Sequence, residues 1–511
     1  MSSSVMSSSH TLISGVLIGI IVWAAIKLFQ VSHRPKPLYS LPPGPKGKPI
    51  VGNLGDLPPA GALEWEHWAK HKALYGTPHQ LRHRLRHHHR HPQHARGRPG
   101  AAGEPVEHLL GPGPHGVRRR AVRLEVHARP AAGRPGMRAI RKFLHGAVGT
   151  RAALGNYAEL QETEVRRFLL RVLEKPEALR EHIRTEAGAI ILKVAYGYEI
   201  EAHKEDPLVT LADHAMDQFS KAMIPGAWLV DMVPILRHFP DWLPGMSFKQ
   251  TAREWKATLI DLVERPSGLV RKQMAEGRNN TSVLSLAYEK SPNMNEEEEH
   301  IVKWASGALY SGGADTSVST MSTFFLVMSL FPEAQRKAQE EIDRVIGTDR
   351  LPTLADRERL PYVGAVMSEC LRFHPIAPMG LPHEATADDV YEGYLIPKGA
   401  IVLSSQCRDE SVYPEPETFN PERFLGPNPA PHPEFVFGFG RRVPLAVFNI
   451  SGSAANHEKK GSRFVGGIVS HPAPYEATIR PRTPGHEALI REVERTHPWG
   501  ESDARELESI K

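Results

Sequence analysis

A short stretch near the C-terminal end of the chain has the composition of a cofactor-binding loop. Residues 437–442 read Phe-Gly-Phe-Gly-Arg-Arg. Glycine has no Cβ atom, so the backbone of such a loop can approach a flat group closely. A guanidinium can bind a carboxylate through two parallel hydrogen bonds. The loop is therefore suited to a flat, anionic cofactor.

A second stretch, residues 312–316, reads Gly-Gly-Ala-Asp-Thr in the middle of a largely apolar run from 295 to 331. Crowded carboxylates at 296–299 favour the start of a helix there. Two glycines inside a helix cost about 1 kcal/mol each relative to alanine, so they call for a reason. Close packing or a kink is one explanation. The other is a thinned helix against which a flat macrocycle lies, with Asp315 and Thr316 carrying protons.

The third stretch pairs Glu369 with Arg372 on one face of a helix predicted over 362–373. This spacing is common by chance, usually as a solvated pair that contributes little. Its neighbours give it meaning. A Pro-Glu-Arg-Phe segment containing Arg423 begins 52 residues after Glu369, and the glycine-rich loop follows it.

The order and spacing of these stretches resemble those of cytochromes P450. The resemblance implies the cytochrome P450 fold, mainly α with small β-sheets, and a haem cofactor. It further implies an oxygen-activation groove at Gly312 and Gly313, in which Thr316 donates a hydrogen bond to the oxygen being activated and Asp315 relays protons. The sequence at 408–414, Arg-Asp-Glu-Ser-Val-Tyr-Pro, resembles fungal members of the family.

The same resemblance assigns roles to residues around the haem. Glu369, Arg372 and Arg423 would form a buried charge triad that holds the approach to the haem loop. Within the loop, Phe437, Gly440 and Arg442 would bind the haem. His383 would reach a haem propionate, although an ordinary surface histidine explains it equally well.

The match breaks directly after the loop. Members of the family place a cysteine two residues after the last loop arginine, and its thiolate ligates the iron. Here that position is Pro444, and a family helix that should follow is missing. Neither Cys370 nor Cys407 lies on the loop, so the sequence predicts no metal ligand. A skipped exon, a misplaced splice junction or drift would account for the loss.

A second anomaly covers residues 78–136, which are built from only nine amino-acid types, all encoded by codons that begin with C or G. We interpret this segment as a frame-shifted translation, with the native frame resuming near Met137. Its ten histidines leave a metal site or a nucleic-acid-binding arm as the alternative. Twelve arginines and three glutamates give the segment a charge of +9, whereas the whole chain has a net charge of +5. The positive net charge of the chain therefore comes from this segment and is no evidence for a nucleic-acid partner.

The N-terminal region reads as a membrane anchor. The run from Thr11 to Val31 is apolar enough and, at about 1.5 Å per residue, long enough to cross a bilayer. Basic residues follow it, which favours an uncleaved anchor over a signal peptide and places the rest of the chain in the cytosol. A stiff Leu-Pro-Pro-Gly-Pro linker comes next, at 41–45.

These features divide the chain into an anchor with its flank (1–40), a P450-like domain (41–482) and a C-terminal tail (483–511). Residues 139–294 are predicted to be helical, with prolines at 207, 225, 234, 240, 244 and 266 dividing the middle into short elements. Residues 470–482 resemble the last hairpin of the family, and 223–248 the region near the substrate entrance and the membrane.

The sequence therefore predicts a haem-thiolate monooxygenase of secondary metabolism, inactive as written because the axial cysteine is absent. By resemblance it would lie in the endoplasmic reticulum membrane with a single span and a cytosolic catalytic domain. Its partners would be NADPH-cytochrome P450 reductase and a lipophilic small molecule, with no nucleic acid. The alternatives are a membrane-anchored, P450-like remnant without haem and a histidine-rich metal-binding protein.

Overall fold

The computed structural model describes residues 39–48, 53–59, 62–75, 110–112, 133–224, 227–380, 383–385, 387–391, 393–403, 408, 410–433, 448–452 and 464–510. Helices dominate these residues. They are α1 (Glu64–Tyr75), α2 (Gly133–Val148), α3 (Arg151–Gly155), α4 (Ala158–Glu174), α5 (Leu179–Tyr196), α6 (Pro207–Met223), α7 (Leu229–Met232), α8 (Phe248–Ala275), α9 (Val283–Lys290), α10 (Glu296–Leu330), α11 (Pro332–Val345), α12 (Pro361–Phe373), α13 (Pro484–Thr496) and α14 (Ala504–Leu507).

The strands are short. They are β1 (Leu110–Pro112), β2 (His383–Ala385), β3 (Asp389–Tyr391), β4 (Tyr394–Ile396), β5 (Ile401–Val402), β6 (Phe448–Gly452), β7 (Phe464–Val465), β8 (His471–Pro472) and β9 (Ala477–Pro481). They form one three-stranded sheet in the order β1-β2-β5 and the pairs β3-β4, β6-β9 and β7-β8. The predicted fold class, mainly α with small β-sheets, is confirmed.

The described chain divides into two compact units. The smaller unit includes residues 1–44 and 385–400 and contains the antiparallel pair β3-β4, in which Val390 lies opposite Leu395. Ser40 forms a bridge with Tyr394 of the same unit. The larger unit contains the helices, and all of the structure discussed below belongs to it.

Helix α10 is the central element of the larger unit. It begins at an Asn295 N-cap, whose side chain and that of Glu298 accept each other's backbone N–H in a capping box. Four glutamates in its first turn are favoured by the helix dipole. The helix then buries apolar residues such as Trp304, Tyr310 and Phe325 against its neighbours. Its contacts with α2, α5, α6, α8 and α12 make it the support on which the groove residues are placed.

The prediction that Pro266 ends a helix is wrong. Helix α8 runs without interruption through Pro266, which is buried. A proline inside a helix costs about 3 kcal/mol because it removes one backbone hydrogen bond and crowds the preceding turn. Here the face that includes Leu262, Val263 and Leu269 is buried in the core, and that burial offsets the cost.

The C-terminal residues are a packed part of the larger unit. The guanidinium of Arg167 on α4 donates hydrogen bonds to the backbone carbonyls of His497 and Pro498 and lies 4.9 Å from the ring centroid of Trp499. Asp503 exchanges hydrogen bonds with the backbone of Glu199. From the sequence alone, 483–511 is predicted only as a tail. The contacts that pack it join residues far apart in the chain, so no local sequence pattern reveals them.

Strand β6 returns the chain to the core shortly after the missing cysteine position. Ile450 is buried beside Ile479, its partner on β9. The backbone N–H and C=O of Ile450 are both bonded to the side-chain amide of Gln335 on α11, each at 2.7 Å. In the predicted last hairpin, β8 and β9 pair with β7 and β6 respectively.

The predicted membrane anchor over 11–31 and most of the segment 78–136 lie outside the described residues. Within the part of the chain that the structure describes, no helix is long and apolar enough to span a bilayer. The same residues contain no group of three His, Cys, Asp or Glu side chains placed to hold a metal ion.

Candidate active site

The structure brings Glu369, Arg372 and Arg423 together. Glu369 and Arg372 are on successive turns of α12 and are fully buried. Arg372 binds the carboxylate in a bidentate manner, from Nε at 2.7 Å and from Nη2 at 2.8 Å. Arg423 adds a third contact, from Nε to Oε2 at 3.1 Å. One buried carboxylate thus faces two guanidinium groups.

The triad also organises the segment that leads toward the glycine-rich loop. The backbone N–H of Asn420 donates a hydrogen bond to Glu369 Oε1 at 2.8 Å. The remaining N–H groups of the two arginines donate to the backbone carbonyls of Pro414, Pro416 and Thr418. The two guanidinium groups therefore fix the conformation of this loop by binding its carbonyl oxygens. No local sequence pattern in the loop predicts that conformation.

The two glycines of the groove face different surroundings. A Cβ atom built on Gly313 would lie 2.6 Å from Cγ1 of Ile191 on α5, too close for any real side chain. A Cβ atom on Gly312 would meet none of the described residues within 4 Å. Gly313 is thus explained by close helix packing, whereas Gly312 leaves an open surface on α10. Of the two explanations left open by the sequence, close packing holds for Gly313, and the thinned helix remains a prediction for Gly312.

Asp315 and Thr316 follow on the same helix, and each has a defined partner. The Thr316 hydroxyl donates to the Gly312 carbonyl at 2.6 Å. The Asp315 carboxylate lies 3.0 Å from Nε2 of His471 on β8. Sequence reasoning singled out residues 470–472 but gave His471 no role, because only the fold brings β8 to α10.

The other predicted cofactor residues are less fully described. His383 begins β2, where it pairs with Val402 of β5. Phe437, Gly440, Arg442 and the cysteine position at Pro444 lie outside the described residues.

The donor atoms of the described residues do not fit a thiolate-ligated haem. Cys370 is buried within α12 in the core, and burial raises the pKa of its thiol well above the ordinary value. A protonated thiol enclosed in this way cannot serve as the axial ligand. Cys407 lies outside the described residues. The open surface at Gly312 suits a flat group, but the described residues provide no sulfur ligand for its metal.

Replacing Glu369 by glutamine is expected to destabilise the protein by about 3 to 5 kcal/mol, because two buried guanidinium groups lose their anionic partner. Chemical denaturation of the full chain, followed by circular dichroism, measures this. Glu333→Gln is the matched control. Its pair with Arg336 is solvent-exposed, so its removal is expected to leave the free energy of unfolding nearly unchanged. Equal effects of the two substitutions would contradict a buried triad.

Alanine substitutions at the two glycines are expected to have opposite effects. Gly313→Ala should destabilise by about 1 to 3 kcal/mol, since the new methyl group collides with Ile191. Gly312→Ala should be neutral or stabilise by up to about 1 kcal/mol, because alanine favours the helix and meets no neighbour. Thermal unfolding of the two variants side by side measures the difference. A loss of stability in Gly312→Ala would show that its surface is occupied.

Comparison with known proteins agrees with this geometry. The sequence model of the family Cytochrome P450 matches residues 117–443, which is more than half of the chain and ends directly before Pro444. Cytochrome P450 monooxygenase claR of Ampulloclitocybe clavipes is 41% identical, covering 97% of this chain and 95% of that protein. O-methylsterigmatocystin oxidoreductase of Aspergillus flavus is 36% identical, covering 97% of each.

The claR alignment spans 541 positions, which exceeds the 511 residues of this chain. At least 30 positions of that relative therefore have no counterpart here. From its family match and its fungal relatives, the chain belongs to the cytochrome P450 family, as a monooxygenase of the fungal type.

Proposed function

We propose that the chain is a membrane-anchored fungal cytochrome P450 monooxygenase whose sequence, as written, cannot form the haem-thiolate centre and is therefore inactive. The family implies a haem cofactor, a reductase as redox partner and a small-molecule substrate. The finer proposal is a lipophilic substrate that is hydroxylated with O₂ and electrons from NADPH-cytochrome P450 reductase.

One observation carries the proposed inactivity. The family match ends at Val443, and the residue that follows is proline. Bound haem with an axial thiolate would supply the electron density that favours O–O cleavage. A proline side chain has no atom that can ligate iron, and the buried Cys370 thiol is protonated and enclosed by the core. The groove residues can still carry protons, but the described residues provide no thiolate ligand for the iron.

The membrane association that we propose has support in the larger unit. Residues 224–242 expose several large apolar side chains, among them Trp242 (79% exposed), Ile235 (61%) and Leu229 (58%). Exposed apolar patches mark sites of interaction with proteins, ligands or membranes. With the predicted anchor at 11–31, these side chains support a single-pass protein of the endoplasmic reticulum whose catalytic domain lies in the cytosol against the bilayer.

A second candidate function is a non-catalytic, membrane-anchored P450-like remnant that does not bind haem. The observation that favours it is strand β6, which packs Ile450 into the core directly after the break. The scaffold can therefore close without the missing helix, and a folded protein without the cofactor is physically reasonable.

The absorbance spectrum of the reduced, carbon monoxide-bound protein tests the proposed inactivity. Expressed in yeast microsomes, this chain is expected to give no red-shifted thiolate-type band, because no cysteine follows the loop. The claR relative, prepared in the same way, is the positive control. The protein is expected to remain with the membranes after alkaline carbonate extraction.

Either of two results would contradict these expectations. A thiolate-type band with stoichiometric haem would show that another sulfur ligates the iron. Recovery of the folded protein in the soluble fraction would rule out the anchor.

Sequencing the transcript tests the origin of both anomalies. We expect that 78–136 is read in a shifted frame and that the native transcript encodes a cysteine and a helix between Val443 and Phe448. A continuous open frame that encodes the chain as written, in register with both flanks, would instead show loss of function by drift.

A further inference from the structure

The pairing of Asp315 with His471 lies in a cluster of charged groups beside the groove. The two side chains are joined at 3.0 Å and are only 15% and 25% exposed. They come from α10 and β8, separated by more than 150 residues in sequence. The contact forms only because the fold packs β8 beside α10. The position of β8 therefore determines the orientation of the Asp315 carboxylate.

The backbone beside His471 is fixed from three sides. Ser319 on α10 donates its hydroxyl to the carbonyl of Ser470 at 2.5 Å. The amide of Ser470 donates to the Ile376 carbonyl at 2.8 Å, and its hydroxyl donates to the Val465 carbonyl at 2.8 Å. These bonds tie β8 to α10, to the residues after α12 and to β7. The imidazole of His471 is therefore presented to Asp315 from a rigid support.

Other charged groups face this pair from the neighbouring helices. Asp213 on α6 bonds to Arg184 on α5 at 3.2 Å. Burial raises the pKa of Asp213, Arg184 lowers it, and the Asp315 carboxylate raises it again, with smaller lowering effects from His471 and Arg180. Two carboxylates thus influence each other here. Arg184 pairs with one of them, and His471 with the other.

The remaining titratable neighbour is neutral. His374, at the end of α12, is buried, and burial lowers the pKa of its imidazole well below the ordinary value, with further lowering from Arg408 and His471. It therefore brings no positive charge to the cluster at neutral pH. Within the described residues, the imidazole of His471 is the basic group that lies within ion-pair distance of Asp315.

We propose that His471 is a positioning residue for Asp315: its Nε2 atom, 3.0 Å from the Asp315 carboxylate, holds that carboxylate beside the groove of α10. The inference rests on the proposed role of Asp315 in carrying protons, but the contact itself exists without haem. It adds a residue from β8 to a site that the sequence motif confines to α10.

Hydrogen–deuterium exchange of the full chain tests this proposal. Relative to the unsubstituted protein, His471→Gln and Asp315→Asn are each expected to speed amide exchange in 464–472 by about three- to tenfold. The double variant should exchange no faster than either single variant, because both substitutions break the same contact. His471→Lys, which still offers a nitrogen donor to the carboxylate, should retain slow exchange.

Matched controls make the result specific. His214→Gln removes an exposed histidine next to Asp213 and should leave exchange in 464–472 unchanged. A structural role for His471 that does not involve Asp315 predicts additive effects in the double variant and no effect of Asp315→Asn. Either of those outcomes would overturn the proposal. Because the measurement is made on the chain without haem, it is independent of the carbon monoxide spectrum that tests the proposed function.

Discussion

The carboxylate of Glu369 sets the main constraint on the site. A buried carboxylate is tolerated only with charged partners and a full set of hydrogen bonds. Glu369 meets this condition by binding Arg372 on its own helix and Arg423 from the segment 421–424. The two guanidinium groups also donate hydrogen bonds to backbone carbonyls of the intervening loop, which stabilise the excess positive charge. Satisfying one buried charge therefore fixes the path of the chain toward the glycine-rich loop.

The local parts of the site could be predicted from sequence. The start of α10 follows from its crowded glutamates, and the pairing of Glu369 with Arg372 follows from helical spacing. The partner of Asp315 could not be predicted in this way. His471 is brought to it by the packing of β8 on α10, and no periodic pattern links residues so distant in sequence. The prediction of a helix end at Pro266 failed for a related reason. The low helix propensity of proline is a local property, and burial of the surrounding helix in the core outweighs it.

The glycines of the groove show why a motif alone assigns too much. Gly-Gly in a helix suggests one purpose for both residues, yet the side chain of Ile191 requires a glycine at 313, whereas none of the described residues requires one at 312. Within the described part of the chain, only Gly312 is therefore open to an external group. The packing requirement at Gly313 is independent of any cofactor.

The separation of scaffold and chemistry extends to the whole molecule. The amide of Gln335 satisfies both backbone groups of Ile450, so the chain is drawn back into the core a few residues after Pro444. Ile450 then packs in the same apolar cluster as Phe325 of the central helix and Met367 of the helix that bears the triad. Among the described residues, bonds that stabilise the fold thus join elements on either side of the loop. A protein built in this way can lose its metal ligand and keep its architecture, because the residues that hold the core together are not those that would hold the iron.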